Sequence, residues 1–329
     1  MPMILVTGGA GFIGSNLVAA LAERGHADIV LCDVLDDPAK IANLAKHPVE
    51  EIIPPDRLFE WLDTAGDAVA AVFHMGAISS TTETDMDRLL DNNLGVSLDL
   101  WRWCTVHHRP YIYASSAATY GGGENGFEDD NDPVALAHLR PLNGYGLSKH
   151  MFDLNAVQLA RAGYHPPQWA GLKFFNVYGP NEQHKGGQRS VAIQLFEQIT
   201  AADSVRLFRS HHPDYEDGGQ QRDFIWVGDC VDMMLWLLDN PTVSGIFNCG
   251  TGQARSFRDL AEACFAAMDR EPKIDFIDTP ENIRSNYQYF TEANLQRIRQ
   301  AGYTKPFTSL EDGTASYIRN YLTTNDPHR

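Results

Sequence analysis

Two residues four positions apart, Tyr145 and Lys149, could together move a proton. If the chain from Tyr145 to Ala162 is helical, this spacing puts the phenol and the ammonium on one face of the helix. A free phenol has a pKa near ~10, and a nearby ammonium in a dry cleft can lower that pKa toward neutrality. A surface pair on an amphipathic helix has the same spacing, so the surrounding residues must decide between the two interpretations.

A glycine-rich turn near the start of the chain predicts dinucleotide binding. The apolar run from Met3 to Thr7 predicts a buried strand, and a helix follows it. Three glycines lie between the two elements: Gly8, Gly11 and Gly14. Such glycines allow a tight turn and a close approach of the backbone to a pyrophosphate. A second predicted strand, Asp28 to Cys32, ends at Asp33, about 20 residues after the last glycine, which is typical of an acid that binds the adenosine ribose.

Asp33 alone does not decide which dinucleotide binds. Its carboxylate can accept hydrogen bonds from a free ribose 2′-hydroxyl, which favours NAD. Lys40, seven residues later, can pair with a 2′-phosphate, which favours NADP. These two residues leave the choice open.

Later apolar segments predict further strands of the same sheet: Ala68 to His74, Tyr111 to Ser116 and Trp169 to Phe175. Open α/β sheets bind ligands at the carboxyl ends of their strands. Ser116 ends one of these strands, the small-residue loop from Gly76 to Ser80 follows another, and Asn92 lies in the next predicted helix. We therefore expect these residues at a ligand cleft, and His74 as a packed residue at its rim rather than a catalyst.

The alternation of strands and helices predicts an α/β fold with a doubly wound parallel sheet of the Rossmann type and a smaller, mixed α/β substrate lobe. We expect the dinucleotide-binding domain to cover residues 1–176 with a return segment at about 222–250. The nucleotide-sugar lobe would then comprise residues 177–221 and about 251–329.

The composition excludes several classes of function. The chain has 329 residues and a net charge of −17, which argues against binding to nucleic acids or anionic membranes. Its five cysteines are scattered without metal-ligand spacing, so we expect reduced thiols and no metal site. We find neither a signal-peptide pattern nor an apolar run of ~18 residues, and we expect a cytoplasmic protein.

Taken in order, Gly8 to Gly14, Ser116, and Tyr145 with Lys149 resemble the extended short-chain dehydrogenase/reductase superfamily, which includes nucleotide-sugar epimerases and dehydratases. The resemblance covers essentially the whole chain. Two stretches, Ala114 to Gly122 and His184 to Gly186, are most similar to the ADP-L-glycero-D-manno-heptose 6-epimerases.

That resemblance implies an isomerase of carbohydrate metabolism that inverts carbon 6 of ADP-D-glycero-β-D-manno-heptose. The reaction would pass through a transient ketone with tightly bound NADP, or alternatively NAD. The product would supply the heptose of the lipopolysaccharide inner core, and the enzyme would be a homo-oligomer.

The resemblance also implies three groups of site residues. The catalytic group is Ser116, Tyr145 and Lys149, with Lys185 as a second base. The cofactor group is Gly8, Gly11, Phe12, Ile13, Gly14, Asp33, Val34, Lys40, Met75, Gly76, Ala77, Ile78, Ser79, Asn92 and Val177, together with Tyr145 and Lys149. The substrate group is Ser116, Asn176, Lys185, Phe208, Arg222 and Tyr287.

Lys185 has two candidate roles. A single phenol cannot easily serve both faces of a ketone, so a second base is needed, and Lys185 can provide it. Alternatively, Lys185 anchors the pyrophosphate, although the guanidinium of Arg222 is better suited to bind two phosphate oxygens at once.

Some positions of the chain depart from the family pattern, and three other functions are compatible with parts of the sequence. Val34 stands where the family often has a polar residue, and the segment Val49 to Asp56 lacks a clear lysine that would help to hold a 2′-phosphate. Both departures weaken the case for NADP over NAD. The nearest alternative function is that of a UDP- or dTDP-sugar epimerase. A 4,6-dehydratase is disfavoured because Ala117 and Ala118 replace the acidic pair of such enzymes. A non-catalytic NADP sensor would typically lack Tyr145 and Lys149. The sequence does not define the nucleotide contacts of the loop from Ser210 to Gln221.

Overall fold

The computed structural model describes residues 3–284 and 287–329, over which the chain forms 12 strands. They are β1 (Met3–Thr7), β2 (Ile29–Cys32), β3 (Glu51–Ile53), β4 (Val69–His74), β5 (Tyr111–Ser116), β6 (Trp169–Phe174), β7 (Asn176–Tyr178), β8 (Val205–Phe208), β9 (Gln221–Trp226), β10 (Gly245–Cys249), β11 (Ala254–Ser256) and β12 (Ile274–Ile277).

The same residues form 13 α-helices. They are α1 (Phe12–Glu23), α2 (Pro38–Ala42), α3 (Leu58–Ala65), α4 (Met86–Leu89), α5 (Val96–Val106), α6 (Pro133–Leu136), α7 (Gly144–Arg161), α8 (Val191–Ala202), α9 (Val227–Asp239), α10 (Phe257–Ala267), α11 (Glu281–Arg284), α12 (Gln296–Gln300) and α13 (Leu310–Tyr317). Short 3-10 helices lie at Pro55–Arg57, Gly66–Ala68, Ala117–Tyr120 and Gln183–Gln188, and π-helical segments at Leu90–Gly95 and Ile318–Leu322.

A seven-stranded parallel sheet has the order β10-β6-β5-β4-β1-β2-β3, which confirms the predicted α/β fold class. The strand order reverses at β1, with β2 on one side and β4 on the other. Thr7 at the end of β1 pairs with Cys32 and with His74, so three strands end level with one another. In such sheets the crevice at the carboxyl edge beside the reversal is the usual ligand site.

Apolar side chains cover both faces of this sheet. On β4, Val72 faces one buried cluster and Phe73 faces the other, as the alternation of side chains along a strand requires. The first cluster includes Trp101, and the second includes Met234. The sheet is therefore buried on both faces, which is why its strands are nearly continuous apolar runs.

Two smaller sheets lie in the second half of the chain. One has the order β11-β9-β7 and the other pairs β12 with β8. A third buried cluster, which includes Leu195, Phe265 and Tyr317, joins α8, α10 and α13. The segment after β6 forms β7, which leaves the large sheet and pairs in parallel with β9.

The chain returns to the large sheet at β10, which pairs with β6. The division into two domains stays a prediction. Residues 1, 2, 285 and 286, which the predicted ranges include, lie outside the described residues.

Candidate functional site

A cleft of about 1050 Å³ runs along the carboxyl edge of the large sheet. Sequence-predicted residues that line it are Gly8, Gly11, Phe12, Ile13, Gly14, Asp33, Lys40, Met75, Gly76, Ala77, Ser79, Ser116, Tyr145, Lys149, Asn176, Val177 and Lys185. The structure thus brings both ends of the predicted site, the dinucleotide turn and the proton-transfer pair, into one cleft.

Glycine is required in the turn because the backbone packs against itself there. Gly8 has φ +65°, and a Cβ on it would lie 2.5 Å from the amide nitrogen of Gly76. A Cβ on Gly14 would lie 2.1 Å from the carbonyl oxygen of Gly8. Side chains at these positions would push the turn away from β4 and α1, so the tight cradle that a pyrophosphate needs is present.

Asp33 is almost fully buried, and its carboxylate already has three partners. The amide of Ala10 donates to Oδ2 at 2.8 Å, and the amide of Val34 donates to Oδ1 at 2.7 Å. Lys40 forms an ion pair with Oδ1 and also donates to the carbonyl of Val34 at 2.8 Å. The acid and the amine therefore sit together where the ribose end of a dinucleotide would lie, which fits the predicted cofactor. Val34 itself does not line the cleft, and its side chain is exposed.

The loop after β4 is held by Asn93 rather than by Asn92. Asn93 is fully buried; its Oδ1 accepts from the amide of Ile78 at 2.8 Å, and its Nδ2 donates to the carbonyl of Ile78 and to Ser148 Oγ, each at 3.0 Å. Asn92 donates to Asn93, and neither Asn92 nor Ile78 lines the cleft. Two predicted cofactor residues therefore do not contribute to the lining of the cleft.

The helix that carries the proton-transfer pair begins at an ordinary cap: Asn143 Oδ1 accepts from the amide of Gly146 at 2.8 Å. Tyr145 is half-buried in the first turn, and Lys149 is buried one turn later. Ser116 lies at the end of β5, where its Oγ accepts from the amide of Ala118 at 3.1 Å.

The pKa of Tyr145 differs from the sequence-based expectation. Burial raises this pKa above 10.0, while the hydrogen bond with Ser116 lowers it. Burial also lowers the pKa of Lys149 to about 8, against the opposing influence of Asp153. Burial therefore outweighs the hydrogen bond with Ser116, and the phenol stays protonated near neutrality.

His74 has the predicted role of a packed rim residue. It is buried, with Thr7 Oγ1 at 2.6 Å from Nδ1 and Ser97 Oγ at 2.9 Å from Nε2. Burial, together with the charge of Lys149, lowers the pKa of His74 to about 3, so the imidazole is neutral.

Lys185 reaches the cleft from the 3-10 helix at Gln183–Gln188, where the sequence showed neither helical nor strand periodicity. Its Nζ lies 5.5 Å from the centre of the Phe12 ring at the start of α1. Burial lowers the pKa of the Lys185 amine, and Glu182 raises it. The amine therefore lies beside the dinucleotide turn, a position suited to a phosphate contact, with a pKa lowered toward that of a base.

The remaining substrate residues form a second group that does not line this cleft. The guanidinium of Arg222 lies 5.6 Å from the centre of the Tyr287 ring, whose centre is 6.2 Å from that of Phe208. One terminal nitrogen of Arg222 donates to the carbonyl of Gln221 at 2.8 Å, and the other donates to that of Gln288. Each terminal nitrogen thus makes one hydrogen bond to the backbone.

Sequence reasoning missed two buried carboxylates next to the proton-transfer groups. Asp153 lies one helical turn after Lys149 and pairs with Lys173 at 2.7 Å, with both side chains fully buried. The same four-residue spacing that singled out Tyr145 and Lys149 could have identified Asp153. Glu182, fully buried, accepts from the hydroxyls of Ser190 at 2.6 Å and Tyr317 at 2.9 Å. No sequence signal pointed to it.

Within residues 3–284 and 287–329, we find no group of three His, Cys, Asp or Glu side chains placed to hold a metal ion. The five cysteines are free and buried. No helix in this part of the chain is both long and apolar enough to cross a membrane.

Comparison with known proteins agrees with this geometry. A model of the NAD dependent epimerase/dehydratase family matches residues 4–250. An ADP-L-glycero-D-manno-heptose-6-epimerase from Nitratidesulfovibrio vulgaris is 51% identical over 329 residues, which cover 99% of this chain and 100% of that protein.

Two solved structures are also similar. The ADP-L-glycero-D-manno-heptose-6-epimerase of Helicobacter pylori has a TM-score of 0.78 and 28% identity, covering 97% of this chain and 96% of that one. The UDP-glucose 4-epimerase of Thermus thermophilus in complex with NAD has a TM-score of 0.73 and 25% identity, covering 96% of this chain and 99% of that one.

Proposed function

The chain belongs to the NAD dependent epimerase/dehydratase family, and on this basis we propose that it inverts carbon 6 of ADP-D-glycero-β-D-manno-heptose to give the L-glycero epimer. One observation carries the proposal beyond the family: Tyr145 and Lys185, from different parts of the chain, line the same cleft as the dinucleotide turn. We further propose that the product supplies the lipopolysaccharide inner core, in the cytoplasm.

The chemistry requires two proton-transfer groups. Carbon 6 of the heptose is a secondary alcohol with no acidic C–H, so its configuration can invert only through a ketone. A bound dinucleotide supplies the acceptor and donor of the hydride in this step. The protons are left to the protein: one group takes the hydroxyl proton from one epimer, and another returns a proton on the opposite face.

We assign one proton to Tyr145 and the other to Lys185. Tyr145 is fixed in the first turn of α7 near Ser116, which can hydrogen-bond the same substrate oxygen. The lowered pKa of Lys185 supports its use as a base. Its position beside Phe12 equally supports a pyrophosphate anchor, so the two roles need an experiment to separate them.

We propose NADP as the preferred dinucleotide, with NAD as the alternative. The support is the Lys40 ammonium, which lies against Asp33 at the ribose end of the cleft. A 2′-phosphate there would meet a cation that already offsets the carboxylate, whereas Asp33 alone would repel it.

We also propose that Arg222, Phe208 and Tyr287 bind the nucleotide of the substrate. Their rings and the largely buried guanidinium offer an aromatic and cationic surface for a base or its phosphate. Arg222 uses only two of its five N–H donors on the backbone, which leaves donors for a ligand. We propose that this group belongs to the substrate lobe, and that the enzyme is a homo-oligomer.

The direct test is turnover of defined sugar nucleotides by the purified protein without added cofactor. NMR should show conversion of ADP-D-glycero-β-D-manno-heptose to its 6-epimer, and mass spectrometry of the heat-released supernatant should show a dinucleotide. UDP-glucose, UDP-N-acetylglucosamine and dTDP-glucose serve as comparison substrates, and Tyr145→Phe as the inactive control. Turnover of one of these in preference to the heptose would refute the assignment.

A further inference from the structure

A buried ion pair behind the cleft is not explained by the proposed roles of the cleft residues. Lys173 on β6 and Asp153 on α7 lie 2.7 Å apart with both side chains fully buried. No other ion pair among residues 3–284 and 287–329 is fully buried at both ends. Two apolar side chains of similar size would hold the helix on the sheet at least as well, so such a pair is weak evidence for a purely stabilising role.

The pair is fixed by a complete set of hydrogen bonds. Asp153 Oδ2 accepts from Ser115 Oγ at 2.6 Å, and Oδ1 accepts from Tyr113 Oη at 3.0 Å. Lys173 Nζ donates to Thr119 Oγ1 at 2.6 Å. These contacts fix the orientation of the Asp153 carboxylate. Its negative charge is therefore held in one position, one helical turn after Lys149.

That position faces the proton-transfer pair. Tyr145, Lys149 and Asp153 follow one another at intervals of four residues, so all three lie on the same face of α7. We propose that Asp153 is a positioning residue: its fixed carboxylate keeps Lys149 protonated, and Lys149 in turn acts on Tyr145.

The electrostatics of the cleft support this proposal. Burial alone lowers the pKa of Lys149, and Asp153 opposes that effect, leaving the pKa at about 8. Without the carboxylate, Lys149 would lose its proton near neutrality, and a neutral amine cannot stabilise a phenolate. Other titratable groups around Asp153 are Tyr113 on β5, Lys173 on β6, Tyr120 in the adjoining 3-10 helix and His150 on α7. Asp153 also acts directly on Tyr145, whose pKa it raises, so its contribution to the phenolate must come through the charge of Lys149.

The test is to remove both buried charges together. In Asp153→Asn/Lys173→Met, the amide can accept from Ser115 and donate to Tyr113, and no unpaired charge remains in the core. The chain has seven lysines, so selective carbon labelling of lysine side chains allows each amine to be titrated by NMR, with Lys149→Met to assign the signal. We expect the pKa of Lys149 to fall by about one pH unit.

Two further variants separate charge from structure. Tyr113→Phe removes one hydrogen bond to Asp153 and keeps every buried charge, so the pKa of Lys149 should not move. Lys173→Met alone removes the opposing ammonium and keeps the carboxylate, so it must not lower that pKa. Titration of Lys149 in the parent protein keeps the proposal testable if the double variant fails to fold, as judged by circular dichroism: a Lys149 amine that is already neutral at about pH 7 would overturn it.

The titration does not depend on any substrate, whereas its kinetic counterpart rests on the proposed function. In the double variant, the alkaline limb of kcat for epimerisation should move to lower pH with the pKa of Lys149. An unchanged pKa of Lys149 in the double variant, or an equal fall in Tyr113→Phe, would overturn the proposal. Absence of epimerisation in every variant with the expected pKa change would instead count against the proposed function.

Discussion

The neutral imidazole of His74 predicts how the protein responds to acid. Thr7 Oγ1 accepts from the amide of Gly76 at 3.1 Å, and Ser97 Oγ donates to the carbonyl of Asn93 at 2.5 Å. These bonds assign the imidazole proton to Nε2, which donates to Ser97, and leave Nδ1 to accept from Thr7. A second proton on Nδ1 would point at the hydrogen that the Thr7 hydroxyl donates to this nitrogen, and it would add a charge to a fully buried site.

The magnitude follows from the pKa. In the unfolded chain an imidazole binds its proton at about pH 6.5, whereas His74 in the fold has a pKa of about 3. Between these values the unfolded state binds more protons, so the free energy of unfolding falls as the pH falls. The slope is about 1.4 kcal/mol per pH unit, and the whole window of pKa values is worth roughly 5 kcal/mol. Above about pH 6.5 both states are neutral and His74 contributes no pH dependence.

The assay is urea unfolding in small pH steps from about pH 7 to about pH 4. His74→Gln keeps a donor for Ser97 and cannot titrate. As the pH falls, the unfolding free energy of this variant should therefore decrease less steeply than that of the parent protein, and the two slopes should differ by about 1.4 kcal/mol per pH unit. His138→Gln, at an exposed position, gives the reference slope for loss of an imidazole. Parallel slopes for the parent protein and His74→Gln would refute the argument.

Two further predictions concern the cleft. Lys40→Ala should weaken NADP binding by about 1–3 kcal/mol and leave NAD binding nearly unchanged in calorimetric titrations, because only NADP carries the 2′-phosphate; equal losses would show that Lys40 does not contact that phosphate. Tyr145→Phe and Lys185→Met should each slow epimerisation by roughly 10²-fold or more, with dinucleotide binding retained; if Lys185→Met raises KM with kcat nearly unchanged, Lys185 is a pyrophosphate anchor.

The parts of the fold and cleft that could be predicted from sequence are those determined by neighbouring residues. The glycine turn and the buried strands are local patterns, and the structure contains both of them. Asp33 lies at the end of its strand for the same reason: strand length and turn spacing fix it without reference to distant parts of the chain.

What could not be predicted depends on contacts across the chain. Arg222 donates to the carbonyl of Gln288, 66 positions away, a contact that no local pattern indicates. Asn92 is the predicted cofactor residue, whereas the adjacent Asn93 holds the loop after β4. Both lie in a π-helical segment, where the rotation per residue departs from that of an α-helix. The raised pKa of Tyr145 reflects burial, which the four-residue spacing to Lys149 does not reveal.

Tyr145 and Lys185, the two groups assigned to proton transfer, are held in different ways. The difference indicates which of the two side chains can change position between the two epimers. Tyr145 lies on an 18-residue helix that the pair of Asp153 and Lys173 ties to the sheet. Lys185 lies on a short segment whose ends are joined where Ser190 donates to the buried carboxylate of Glu182.

Gly186, with φ +55°, follows Lys185 in the exposed part of that segment. The hydrogen bond between Ser190 and Glu182 fixes where the loop begins and ends. It does not restrain the backbone angles at the tip of the loop, which change most easily at a glycine. On the proposed function, the ketone would therefore turn against a fixed phenol, and the Lys185 amine, which now lies beside Phe12, would move to meet it.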